Sequence, residues 1–132
     1  MSRILIIEDS NAIAKILEMT INSAQGLEVI GISTSGLEAI EDVKNLQPDL
    51  ITLDLHLPEM DGVEVLTNIR KLCLAPVIVI SSTADTTLPI CKQVLAEGAY
   101  AVVGKPPAVN GESFKTYSNS LVETIHKALQ HG

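Results

Sequence analysis

Five residues that could do chemistry together each stand at the end of a short hydrophobic run. Glu8 and Asp9 close the run Arg3-Ile4-Leu5-Ile6-Ile7, and Asp54 closes Leu50-Ile51-Thr52-Leu53. Ser81 follows Pro76-Val77-Ile78-Val79-Ile80, and Lys105 follows Tyr100-Ala101-Val102-Val103-Gly104. Converging carboxylates make a hard, oxygen-rich site suited to Mg²⁺. A hydroxyl and an ammonium beside them could hold the oxygens of a phosphoryl group. The set reads as a phosphoryl-transfer site without a nucleotide pocket.

The elements that must position these groups alternate strand and helix. Strands are expected near Arg3 to Ile7, Leu27 to Ser33, Leu50 to Asp54, Pro76 to Ser81 and Tyr100 to Gly104. Between them, apolar residues recur at helical spacing: Ile13, Ile16, Leu17, Thr20 and Ile21 after a cap at Ser10 or Asn11, with Gly26 ending the segment; then Leu37, Ile40 and Val43; then Val63, Leu66, Ile69 and Arg70. Ile90, Val94 and Leu95 form a fourth stripe after Pro89, and Tyr117, Leu121, Ile125 and Leu129 a fifth. The fold class expected is α/β, a flavodoxin-like doubly wound five-stranded parallel sheet in the order 2-1-3-4-5 with five helices. Such sheets carry their chemistry at the carboxyl ends of strands. In that order the first and third strands are neighbours, so Glu8, Asp9 and Asp54 meet in one cleft, with Ser81 and Lys105 on the same rim.

At 132 residues the chain is expected to be one domain, spanning 1–132. Its apolar content of 46% is aliphatic, with two Tyr, one Phe and no Trp, as strands buried on both faces require. Sixteen acids against nine bases leave a formal charge of −7. That disfavours direct nucleic-acid binding and attraction to an anionic membrane. No apolar run reaches the ~20 residues of a membrane span, and Cys73 and Cys91 read as reduced thiols in or near the core. A cytoplasmic location is expected.

Alone, Asp9 or Asp54 at a strand end is most often a turn or cap residue, and convergence is what raises the functional reading. Three crowded carboxylates repel one another, so without a cation at least one pKa should rise. His56, two residues past Asp54, is placed to offer its backbone carbonyl to Mg²⁺, while its imidazole should face solvent. The metal set is thus Glu8, Asp9, Asp54 and His56. Asp54, at the centre of the sheet, is the best nucleophile, and its attack on a phospho-donor would give an aspartyl phosphate. Lys105 would neutralise phosphoryl oxygens, with a cis bond to Pro106 as one way to aim the amine, and Ser81 would hydrogen-bond them. Gly98 to Lys105 loosely resembles a P-loop, but Pro106 stands where that motif needs Ser or Thr, and the segment runs into a strand.

With those residues in place, the chain resembles the receiver domain of two-component response regulators. The resemblance rests on Glu8-Asp9-Ser10, the segment from Asp54 through Leu55-His56-Leu57-Pro58-Glu59-Met60-Asp61-Gly62, Ser81, and Lys105-Pro106. It implies an acidic Mg²⁺ pair at Glu8 and Asp9, a phosphoacceptor at Asp54, a switch hydroxyl at Ser81 and an essential lysine at Lys105. The partners implied are a histidine kinase and a downstream output protein or domain, with phosphorylation-dependent dimerisation as one possible oligomeric response. The Ser81-Ser82 pair, the spacing to Gly98 and the extended loop after Pro106 are similar to the receiver of chemotaxis protein-glutamate methylesterases. Nothing after His131-Gly132 supplies an esterase domain, so a signalling domain and not an enzyme is expected, excised or free-standing.

Receivers usually carry Tyr or Phe three residues before the lysine, and this chain has Val102 there. His56 and Thr83 flank the expected path of hydrolytic water, so exchanging them should change dephosphorylation and leave Mg²⁺ affinity nearly constant. Three other readings compete. A phosphatase-like enzyme would need a second carboxylate where His56 stands. A flavin module would need a Ser/Thr/Gly-rich loop where Glu8-Asp9 stands. A receiver-like interaction domain independent of phosphate would not need the acidic trio, Ser81 and Lys105 together.

Overall fold

The computed structural model describes residues 1–82, 87–107 and 111–131. Along these, ten elements alternate: β1 (Ser2–Ile7), α1 (Asn11–Asn22), β2 (Leu27–Ser33), α2 (Gly36–Leu46), β3 (Leu50–Asp54), α3 (Gly62–Leu72), β4 (Val77–Ser81), α4 (Pro89–Ala96), β5 (Ala101–Gly104) and α5 (Gly111–His131). The strands form one sheet in the order β2-β1-β3-β4-β5, and all four pairings are parallel. The expected fold class, α/β with a flavodoxin-like 2-1-3-4-5 sheet and five helices, is borne out. Thr83 lies outside the described residues, as do 108–110 of the loop after Pro107.

Strand alternation sorts the core into two layers. Leu5, Ile7, Ile51, Leu53, Val77 and Val79 pack with Ala39, Val43, Val65, Leu66 and Ile69 of α2 and α3. Ile4, Ile6, Ile78 and Ile80 pack with Leu17 and Ile21 of α1 and with Leu121, Ile125 and Ala128 of α5. The central strands are buried on both faces, which accounts for their unbroken aliphatic runs.

Local chemistry sets the helix starts. Ser10 Oγ accepts from the Ile13 amide at 3.3 Å, so Ser10 and not Asn11 is the cap of α1. Ser35 and Asp61 cap α2 and α3 in the same way, through the amides of Glu38 and Glu64. Pro89 opens α4, where a missing N–H costs nothing.

Two stripes depart from expectation. In α2, Leu37 is 62% exposed and the inward residues are Gly36, Ala39 and Val43. In α4, Ile90 is 38% exposed and Cys91 takes the buried place beside Val94. At the start of α2 the loop after β3 and α3 leave no room for a side chain: a Cβ at Gly36 would lie 2.9 Å from Met60 and Val65 side-chain atoms.

Candidate functional site

The register of the sheet assembles the site. Ile7 opposes Leu53 and Asp54 opposes Ile80, so Glu8 and Asp54 emerge side by side just past the last β1–β3 rung. Ser81, the last residue of β4, opposes Gly104, which precedes Lys105. Glu8, Asp9 and Asp54 come together, with one carboxylate oxygen from each within 4.8 Å of the others. Glu8 and Asp54 are each 1% exposed and Ser81 is 2% exposed, whereas Asp9 lies open to solvent.

Asp54 is held from two directions through one oxygen. Its Oδ1 accepts from the His56 backbone amide at 3.0 Å and lies 3.4 Å from Lys105 Nζ. The His56 ring is exposed, so the backbone of that residue is what meets the site. Lys105 reaches Asp54 without a cis bond, since the Lys105–Pro106 peptide is trans. A cis bond, offered by the sequence as one way to aim the amine, is therefore not what brings it there.

Glu8 Oε2 accepts from the Ser10 amide at 3.2 Å. Among the described residues, Glu8 Oε1 and Asp54 Oδ2 are buried with no hydrogen-bond donor. A proton held between the two carboxyls, or a cation, is what can satisfy them. Burial, then hydrogen bonding with the Asp54 carboxyl, pushes Glu8 up from 4.5 to about 8, while the Ser10 amide pulls the other way. An oxygen-only donor set with two orphaned buried oxygens fits a small hard divalent ion such as Mg²⁺.

The loop after Asp54 is shaped by backbone contacts. The Gly62 amide donates to Leu55 O at 2.9 Å, and a Cβ at Gly62 would sit 2.6 Å from Leu55 Cα. At its far end, Glu59 takes φ +69° as the Met60 amide donates to Pro58 O at 2.8 Å, a tight γ-turn. Sequence reasoning placed Tyr117 only in an apolar stripe and missed its phenol, which donates to Gly104 O at 2.7 Å. No sequence signal ties α5 to that carbonyl, because the contact depends on how α5 docks on the sheet. Val102 packs against the α2/α3 core, and Tyr100 is 38% exposed at the edge.

Residues 4–111 match the family model described as response regulator receiver domain. Over 126 residues the chain is 36% identical to protein-glutamate methylesterase/protein-glutamine glutaminase 5 of Myxococcus xanthus, covering 96% of this chain and 36% of that protein. It is 32% identical over 127 residues to the corresponding Thermotoga maritima protein, covering 96% of this chain and 37% of that one. The chain thus spans about a third of the length of these relatives. Among solved structures it is similar to the response regulator domain of Thermotoga maritima CheB, with a TM-score of 0.89, 32% identity, and coverage of 98% and 97% of the two chains. It is also similar to a chain of the CheX-CheY-BeF3-Mg²⁺ complex of Borrelia burgdorferi, with a TM-score of 0.80, 28% identity, and coverage of 96% and 87%.

Proposed function

Since this chain belongs to the response regulator receiver domain family, we propose that it accepts a phosphoryl group on Asp54 from a histidine kinase. The observation that carries this reading is the environment of Asp54. It is a carboxylate 1% exposed, 3.4 Å from the Lys105 ammonium and gathered with Glu8 and Asp9. In the transfer, an Asp54 carboxylate oxygen forms a bond to phosphorus as the P–N bond of the donor phosphohistidine breaks. The departing imidazole nitrogen takes up a proton. The product is an aspartyl phosphate.

Each neighbour has a distinct task. The His56 amide fixes Asp54 Oδ1, which leaves the carboxylate one orientation from which to attack. Lys105 exchanges its contact with Asp54 for one with the phosphoryl oxygens, and the Ser81 hydroxyl hydrogen-bonds another. Glu8, Asp9, Asp54 and the His56 backbone carbonyl would hold Mg²⁺, which when bound neutralises the acidic cluster and the incoming phosphoryl charge.

The domain, proposed to span 1–132, acts as a switch whose surface affinity for an output protein or domain changes with phosphorylation. Its relatives by name are protein-glutamate methylesterases, which favours chemotaxis as the setting and a methylesterase as the output. Among the described residues no helix is long and apolar enough to cross a membrane. Together with the acidic composition, this supports a cytoplasmic place of action.

Intact-protein mass spectrometry after incubation with Mg²⁺ and acetyl phosphate tests the reading, beside an Asp54→Asn control. A Mg²⁺-dependent gain of one phosphoryl group, absent from the control, is expected. No gain in a chain shown separately to bind Mg²⁺ would turn the reading to an interaction domain independent of phosphate.

A further inference from the structure

The peptide unit between Gly104 and Lys105 is where three parts of the molecule meet. Its amide side belongs to Lys105, whose ammonium lies against Asp54. Gly104 pairs with Ser81 across the β4–β5 ladder. The Gly104 carbonyl accepts the Tyr117 phenol of α5 at 2.7 Å. Because a peptide is planar, orienting that carbonyl orients the bond leading to the Lys105 Cα. Among the described residues beyond its chain neighbours, a Cβ at Gly104 would meet no atom within 4 Å. On the other side, Pro106 confines Lys105 to extended backbone. The phenol therefore adds a side-chain contact from α5 to the ladder pairing that holds the peptide leading into Lys105.

We propose that Tyr117 is a positioning residue for Lys105 and the link through which α5 senses phosphorylation at Asp54. When Lys105 and Ser81 turn toward the phosphoryl group, the Gly104 peptide moves with them, and the phenol carries that movement into α5. The ring is seated for this task, packed against the layer that holds Val103, Leu121 and Ile125. Burial, with a smaller contribution from the Glu8 charge, pushes the phenol's pKa well above its ordinary value. It therefore stays a donor throughout the physiological range. Val102, aliphatic and packed on the opposite layer, offers no comparable polar handle. The inference rests on the receiver reading above.

Tyr117→Phe tests it, since the ring is kept and only the hydroxyl removed. Three readings are taken on wild type and variant: the rate of Asp54 phosphorylation by acetyl phosphate, Mg²⁺ affinity by calorimetry, and the methyl NMR response to BeF₃⁻ with Mg²⁺. In the variant, phosphorylation is expected to slow about fivefold, as for loss of one hydrogen bond, with Mg²⁺ affinity unchanged. The BeF₃⁻-induced shifts of the Leu121 and Ile125 methyls should disappear, while those of Leu53 and Leu55 beside Asp54 persist. Leu121→Ala, which loosens α5 without touching Gly104, should phosphorylate at the wild-type rate. Wild-type rate and α5 response in Tyr117→Phe would overturn the proposal, as would an equal slowing in Leu121→Ala. Failure of the wild-type chain to be phosphorylated would instead strike at the receiver reading itself.

Discussion

Lys105 Nζ and Asp54 Oδ1 lie 3.4 Å apart, the lysine side chain 26% exposed and the aspartate 1% exposed. The ammonium thus neutralises a buried carboxylate from the solvent side, in the direction from which a phospho-donor would arrive. A cation in that place stabilises the product and competes with a metal for the same charge. Lys105→Met should therefore slow phosphorylation at least about tenfold while Mg²⁺ binds no more weakly than in wild type. Calorimetry and phosphorylation kinetics on one preparation check both signs. A parallel fall in the two quantities would show that the lysine only maintains structure.

Glu8 gives the site a pH dependence. Its pKa is about 8 in the fold against an ordinary 4.5. Between those values the folded chain holds a proton that the unfolded chain has released. The metal-free protein is therefore most favoured below about pH 4.5 with respect to this group, and loses stability toward pH 8 by at most about 1.4 kcal/mol per pH unit. Glu8→Gln should flatten that slope in urea titrations.

Mg²⁺ must displace the same proton, so its affinity should rise between pH 6 and 8 by up to about tenfold per unit. Calorimetry at pH 7 in two buffers of different ionisation enthalpy counts the released proton. Binding without proton release would place the raised pKa elsewhere.

At His56 the backbone and the side chain make opposite predictions. The amide donates to Asp54 Oδ1 at 3.0 Å, while the ring is exposed. His56→Ala should leave phosphorylation and Mg²⁺ affinity within about twofold, with the lifetime of the aspartyl phosphate as the quantity that moves. His56→Pro, which removes the donor, should slow phosphorylation by about tenfold or more, with circular dichroism confirming the fold. Equal effects of the two substitutions would assign the ring a role in the transfer.

Gly62→Ala tests how tightly the loop after Asp54 is held. The added methyl would meet Leu55 Cα at 2.6 Å, a backbone atom that cannot rotate away. A loss of about 1–3 kcal/mol of stability is expected. Phosphorylation should slow as well, because Leu55 connects Asp54 to His56.

The alternation of five strand-like runs with five helical stripes was enough to read the sheet order, since short connections and right-handed crossovers leave few topologies. The acidic residues, Ser81 and Lys105 were legible for a related reason: each follows a hydrophobic run directly, and a parallel sheet gathers those ends on one edge. Helix faces were less legible. Leu37 and Ile90 fit a helical period yet lie outward, because periodicity does not reveal how close a helix comes to its neighbours. The tertiary structure alone decided that Glu8 takes a raised pKa while Asp9 lies open to solvent, since burial depends on what covers each carboxyl. It alone brought the Tyr117 phenol to Gly104, 13 residues away, because a hydrogen bond between two elements is set by their docking and not by spacing along either one.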